Sequence, residues 1–271
     1  FSALLFNPVA QVKFVHTVAA GYVTGAIFVL AISSYYLLKR RDLGFARRSF
    51  AIASAFGLAS ILSVIVLGDE SGYEIGDVQK TKLAAIEAEW DTHEAPAAFT
   101  LFGLPDQQAM RTDYAIRIPY ALGLIATRSL DGEVTGIKDL LIQHEARIRN
   151  GMQAYALLQQ LRSGDRSPAT LQAFDAVKAD LGYGLLLKKY TEQVVDATPE
   201  QIAQASLDTI PDVASLFWTF RIMVGCGVLM LALFICAFWA SAKRNEEHKP
   251  WLLKWALFSL PLPWIAAQTG W

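Results

Sequence analysis

Four stretches of this chain are apolar almost without interruption, at roughly residues 14–38, 49–67, 214–240 and 251–270. Each approaches the ~20 residues that carry a helix across ~30 Å of hydrocarbon. Because the apolar character runs all round, each predicts a helix surrounded by apolar matter. Lys254, Pro261 and Pro263 interrupt the last stretch. That helix should kink and bury its freed backbone groups against neighbours. The pattern divides the chain into a helix pair over 1–68, a long mixed segment over 69–212 and a second helix pair over 213–271. The expected fold is all-α: four transmembrane helices of a larger bundle, with a long, partly helical loop between the second and third. With no initiator Met, and an apolar stretch reaching Trp271, the chain reads as a piece of a longer polytopic protein.

Local signals place helices inside 69–212. Ser167-Pro168 and Thr198-Pro199 are N-cap and first-turn pairs, and Thr198 with Gln201 has capping-box spacing. Ile137, Leu141, Ile148, Met152, Tyr155 and Leu158 recur at helical spacing. DLGYGLLLKKY, residues 180–190, lacks the Lys-Ser/Thr ending of a phosphate loop and reads as a turn followed by a buried segment. The remainder reads as irregular chain.

Charge orients the pattern. A formal net charge of −1 hides a steep asymmetry, because 69–212 holds 22 acidic and 13 basic residues. Lys39, Arg40, Arg41, Arg47 and Arg48 face only Asp42 in the first short connection. Lys243, Arg244 and Lys249 stand beside Glu246 and Glu247 in the second. The positive-inside rule puts both connections in the cytoplasm and 69–212 outside. No basic patch suggests nucleic acid. The two cysteines, Cys226 and Cys236, lie in one apolar stretch ~15 Å apart along a helix, too far for a disulfide. Thiolate clusters and c-type haem attachment are excluded with them.

Two candidate iron ligands follow. His16 is the histidine that enters an apolar stretch, whereas His93, His144 and His248 lie in polar sequence. Met223 enters the third stretch two residues after Arg221. A histidine near a helix end is more often a packing residue, and a methionine in an apolar helix more often fills a core. Their matched depth near the outer face, beside an arginine that needs an anionic partner, favours an axial pair on a low-spin haem b, with Arg221 at a propionate.

A second constellation follows the second stretch. Residues 68–90, GDESGYEIGDVQKTKLAAIEAEW, gather Asp69, Glu70, Glu74, Asp77, Glu87 and Glu89 around Tyr73, Gln79, Lys80 and Lys82. As composition this is a solvated acidic loop. LAAIEAEW, however, puts Leu83, Ile86 and Trp90 on one face and holds Glu87 at the membrane surface, where a carboxylate can take a proton from a lipid-soluble hydroxyl donor. Positions 82 and 87 are ~140° apart on a continuous helix, which sets Lys82 at its start with a substrate bridging the two. From residues alone two classes stay open: a haem-bearing membrane electron carrier, its acceptor unspecified, and a haem-free receptor or transporter.

NPVAQVKFVHTVAAGYVTGA (7–26), the 68–90 segment, FRIMVGCG (220–227) and LPLPWIAAQTGW (260–271) together resemble subunit I of the cytochrome bd ubiquinol oxidases. The resemblance covers essentially the whole chain as a central portion of that subunit. It implies that His16 and Met223 ligate low-spin haem b, that Arg221 meets its propionates and that Trp271 stands among the haems. It implies quinol oxidation at Lys82 and Glu87 in a long Q-loop, with Asp69 and Tyr73 lining the quinol pocket. By the same resemblance, electrons from ubiquinol or menaquinol pass through that haem to a high-spin haem b and haem d, where oxygen becomes water. Charge separates without pumping. The high-spin haem ligands lie at family positions beyond this fragment. Implied partners are a second large membrane subunit, small single-helix subunits and the lipid bilayer. The implied location is the bacterial inner membrane, with 69–212 periplasmic.

Overall fold

In the computed structural model, residues 2–92, 98–120, 122, 128 and 133–270 are described. After a single turn, α1 (Ser2–Leu5), come α2 (Pro8–Leu38), α3 (Leu43–Val78) and α4 (Lys80–Glu87). A β1–β2 hairpin follows (Phe99–Asp106, Arg111–Ile118), then α5 (Ile137–Ser163), α6 (Pro168–Val177), α7 (Leu181–Leu185) and α8 (Pro199–Leu207). The chain ends with α9 (Val213–Ala242), α10 (Pro250–Phe258) and α11 (Leu262–Thr269). Two compact units result, one from residues 1–78 with 217–271 and one from 79–216.

In the first unit α2, α3 and α9 are each long and apolar enough to cross a membrane. Asn7 caps α2 by accepting from the Ala10 N–H, and Pro8 fills a first-turn position that needs no donor. The fourth expected span is not one helix. It breaks around Ser259–Pro261 into α10 and α11, each too short to cross alone. The reason is local: Pro261 and Pro263 can only open a helix here, so α11 starts afresh with Pro261 as its N-cap and Pro263 in its first turn. α3 departs in the other direction. It runs unbroken through 69–78, where the outer segment was expected to begin, since nothing before Val78 removes a helical N–H. At ~54 Å it exceeds the hydrocarbon thickness.

The core of this unit joins Ile27, Leu30, Phe50, Leu233, Phe234 and Leu252, all at most 1% exposed. Ala26, Ala53, Ala237 and Ala256 let the backbones come close, which matters where lipid offers no hydrophobic drive to pack. Ser33 and Ser49 hydroxyls meet at 2.7 Å between α2 and α3, and Ser34 donates to the Leu30 carbonyl. At one end Arg47 donates to Glu247 at 2.5 Å, so the 39–42 and 243–249 connections share that end. By chain direction His16, Gly68 and Met223 share the other.

The second unit is built on α5. Its buried stripe, Ile137, Leu140, His144, Ile148, Gly151 and Ala154, differs from the expected one at four of six positions. Ile148, Leu187, Val194, Ile202 and Ala205 make the core beneath it. Gly151 and Gly184 explain the close crossing of α5 and α7. A β-carbon on Gly151 would lie 2.2 Å from the Gly184 nitrogen, and one on Gly184 2.3 Å from the Gly151 carbonyl carbon. Both expected caps form: Ser167 accepts from the Thr170 N–H, and Thr198 and Gln201 complete a capping box. DLGYGLLLKKY is helical, as α7 with a following 3-10 turn, and buries Leu187.

The hairpin was not expected. Its strands pair antiparallel, Phe99 with Ile118 through Asp106 with Arg111, with two register shifts between. Asp106 closes the turn by accepting from the Gln108 and Ala109 N–H groups.

Candidate functional site

His16 belongs to the core-facing stripe of α2. At ~100° per residue it is aligned within ~20° with Val23 and Ile27, both nearly fully buried. Met223 is aligned in the same way with Met230 and Phe234 on α9. The packed cluster nevertheless stops short of both. It begins at Val23 on α2 and Cys226 on α9, and its fully buried members on α3 end at Ile61. His16, Gly68 and Met223 therefore occupy core-facing positions one to two turns beyond the core.

Their immediate contacts are specific. The His16 ring lies on Gly68, where a β-carbon would be 3.4 Å from Cε1, and reaches the Val64 backbone. Its Nδ1 is buried without a hydrogen-bond partner. The Met223 sulfur lies on Gly270, where a β-carbon would be 2.7 Å away. A buried imidazole nitrogen without a hydrogen-bond partner and a thioether, both on core-facing positions, are side chains that an iron porphyrin accepts as ligands. The residues present thus fit a haem, and this fit rests on the orphaned Nδ1 and on the core's early end.

Arg221 is ~160° around α9 from Met223. It donates to the Phe217 carbonyl at 3.0 Å, and its guanidinium carbon stands 3.4 Å over the Phe217 ring. Trp271 and His93 lie outside the described residues. Asp69 is exposed and Tyr73 half-buried; they share one face at the end of α3, ~100–140° round from Gly68.

Lys82 and Glu87 belong to the second unit, on α4. Lys82 is in the first turn and half-buried, whereas Glu87 is the last helical residue and only 3% exposed. Ala88 then turns left-handed (φ 51°), and the Glu89 N–H reaches back to the Ala84 carbonyl at 2.8 Å. This is a Schellman closure. In a continuing helix residues 87 and 89 would point ~160° apart. The reversal at Ala88 buries both carboxylates, Glu89 being 4% exposed. In the sequence Glu89 is one member of an acidic run, and only the left-handed Ala88 of the folded chain sets it apart. Three bonds tie this turn down: Trp90 Nε1 donates to Thr112 on the hairpin at 2.8 Å, the Ile137 N–H donates to the Glu89 carbonyl at 2.9 Å, and the Lys138 N–H donates to the Trp90 carbonyl at 3.0 Å.

The cytochrome bd terminal oxidase subunit I family matches residues 1–271. The chain belongs to that family. It is 49% identical over 271 residues to the cytochrome bd-II ubiquinol oxidase subunit 1 of Escherichia coli K12, covering all of this chain and 53% of that protein. Against the cytochrome bd ubiquinol oxidase subunit 1 of Bacillus subtilis 168 it is 27% identical, covering all of this chain and 46% of the other. Among solved structures, a bd oxidase from Geobacillus thermodenitrificans superposes with a TM-score of 0.67 at 21% identity, over 99% of this chain and 47% of that one. That likeness shows the fold. The chain spans about half the length of the curated relatives it matches.

Proposed function

We propose that this chain is the electron-entry portion of a terminal respiratory quinol oxidase. It oxidises ubiquinol or menaquinol at the extracytoplasmic side of the bacterial inner membrane. The observation that carries the reading is the buried, partnerless Nδ1 of His16 at a core-facing position where the helix core has ended. His16 and Met223 are the ligands of a low-spin haem b, with Arg221 turned from Phe217 toward its propionates. When bound, that haem supplies a one-electron carrier whose potential the thioether raises.

Quinol oxidation releases two electrons and two protons. The carboxylate of Glu87 takes a proton from the quinol hydroxyl, directly or through water, while Lys82 donates a hydrogen bond to a quinol oxygen. Burial of Glu87 at a rigid turn keeps the acceptor in place as the charge changes. Asp69 and Tyr73 line the quinol pocket, and Trp271 stands among the haems. Oxygen reduction, at a high-spin haem b and haem d, belongs to parts of the full subunit beyond this chain. The full enzyme includes a second large membrane subunit and small single-helix subunits. Protons released outside and consumed from the cytoplasm separate charge without a pumping cycle.

The test uses the intact parent oxidase. Glu87→Gln should slow quinol-driven oxygen uptake ~10²-fold, the scale of a positioned proton acceptor. Glu87→Asp should retain part of the rate, and the dithionite-reduced spectrum should be unchanged in both. His16→Ala should remove or convert the low-spin b signal. A parental spectrum in His16→Ala defeats the ligand assignment, and a parental rate in Glu87→Gln moves the proton acceptor elsewhere.

A further inference from the structure

At the opposite end of the first unit from His16, a cavity of about 200 Å³ is lined by Ile235, Cys236, Trp239, Lys249 and Trp251. Ile235 and Trp239 are one turn apart on α9, and Trp251 opens α10. All three side chains are half exposed, so the cavity opens onto the surface of the bundle. Its volume falls below the ~300–1,000 Å³ of small-molecule pockets, which suits a segment of acyl chain better than a whole metabolite.

The rim is cationic. Lys249 closes the slot, and Lys243 holds its ammonium 4.6 Å over the Trp239 ring. Lys254 follows Trp251 by one turn and is exposed. Of the nearby acids, Glu247 is engaged by Arg47 at 2.5 Å, and Glu246 is buried. Tryptophan with lysine, at the charged end of apolar helices, is the chemistry of the headgroup boundary. We infer that this slot is a binding site for an anionic phospholipid, its phosphate held by Lys249 and Lys243 and its chain laid between Trp239 and Trp251. The inference rests on cavity and charge, independently of quinol chemistry.

The experiment puts benzoylphenylalanine at Trp251 in the intact oxidase. The protein is reconstituted in discs of equal phosphatidylglycerol and phosphatidylcholine, illuminated, and its adducts are weighed. Phosphatidylglycerol adducts should exceed phosphatidylcholine adducts about fivefold per lysine engaged, the ratio that one lysine near a lipid surface confers. Lys249→Gln should bring the ratio toward one while oxygen uptake stays parental. A probe at Phe28, exposed near the middle of α2, should show no headgroup preference. Equal adducts of the two lipids at Trp251 overturn the inference. So does a crosslink to another subunit or to another part of subunit I, which would make the slot a protein interface.

Discussion

A methyl group at position 270 would lie 2.7 Å from the Met223 sulfur, inside any ordinary contact. The same glycine is 3.1 Å from the Ala266 carbonyl when given a β-carbon, so added bulk cannot swing away cheaply. Gly270→Val should therefore displace the thioether without altering either proposed iron ligand chemically. In the intact oxidase the low-spin b signal should broaden or shift and its midpoint potential fall, while Gly227→Ala, where a β-carbon meets nothing, should leave both unchanged. Redox titration of the reduced-minus-oxidised spectrum reads this. An unmoved potential in Gly270→Val would separate Met223 from the iron. At this scale the sequence was informative where chemistry is scarce: a histidine entering an apolar helix and a methionine beside an arginine stand out unaided. Gly68, Gly270 and Glu89 did not, because their importance lies in what they touch after folding.

Helices announced themselves by apolar runs and by caps, but the faces they bury did not follow from hydrophobicity alone. On α5 the buried stripe includes Gly151, Ala154 and His144, residues that a hydrophobic pattern skips. Gly151 is inside because α7 crosses backbone to backbone there. His144 is inside because it is paired: its Nδ1 lies 2.6 Å from Thr209 Oγ1. That hydroxyl already donates to the Ser206 carbonyl at 2.6 Å, so His144 must be the donor and carries its proton on Nδ1. The hairpin was hidden differently, its alternation broken by two register shifts. Burial, and then the nearby Arg147 charge, hold the His144 pKa below the usual histidine value. A lowered folded-state value means that the unfolded chain binds the extra proton more readily. His144 thus contributes stability above ~6.5, and that contribution is lost as pH falls through the lower folded-state value. Protection factors across α5 and α8, with the intrinsic slowing of exchange divided out, should fall between pH 7.5 and 5.5, and His144→Gln should flatten that fall. Equal pH dependence in both proteins would place the sensitive group elsewhere.

For the whole molecule, hydropathy and charge sign act together, and they are its most legible property. Among the described residues three helices are long and apolar enough to cross a membrane, and the fourth run is split by the prolines that made it suspect. The Arg47–Glu247 pair joins the two short basic connections at one end, which suits the expected common cytoplasmic face, while residues 69–212 carry a net charge of −9. Gly164 is the natural place to probe the far side, being exposed, left-handed (φ 110°) and with open space around it. A reporter inserted there in the intact subunit should be active as an extracytoplasmic enzyme, and reporters in 39–42 and 243–248 should be active only as cytoplasmic ones. Trypsin added to intact spheroplasts should cut near Arg162 or Arg166 while leaving Arg40 and Arg244 whole, and inside-out vesicles should give the reverse. Adding lysines beside Gly164 should leave this bias intact, whereas lysines added just after Val78 or just before Val213 should weaken it, since orientation follows basic residues near helix ends rather than net charge. Cleavage at Arg162 confined to inside-out vesicles would invert the topology and move quinol oxidation to the cytoplasmic face.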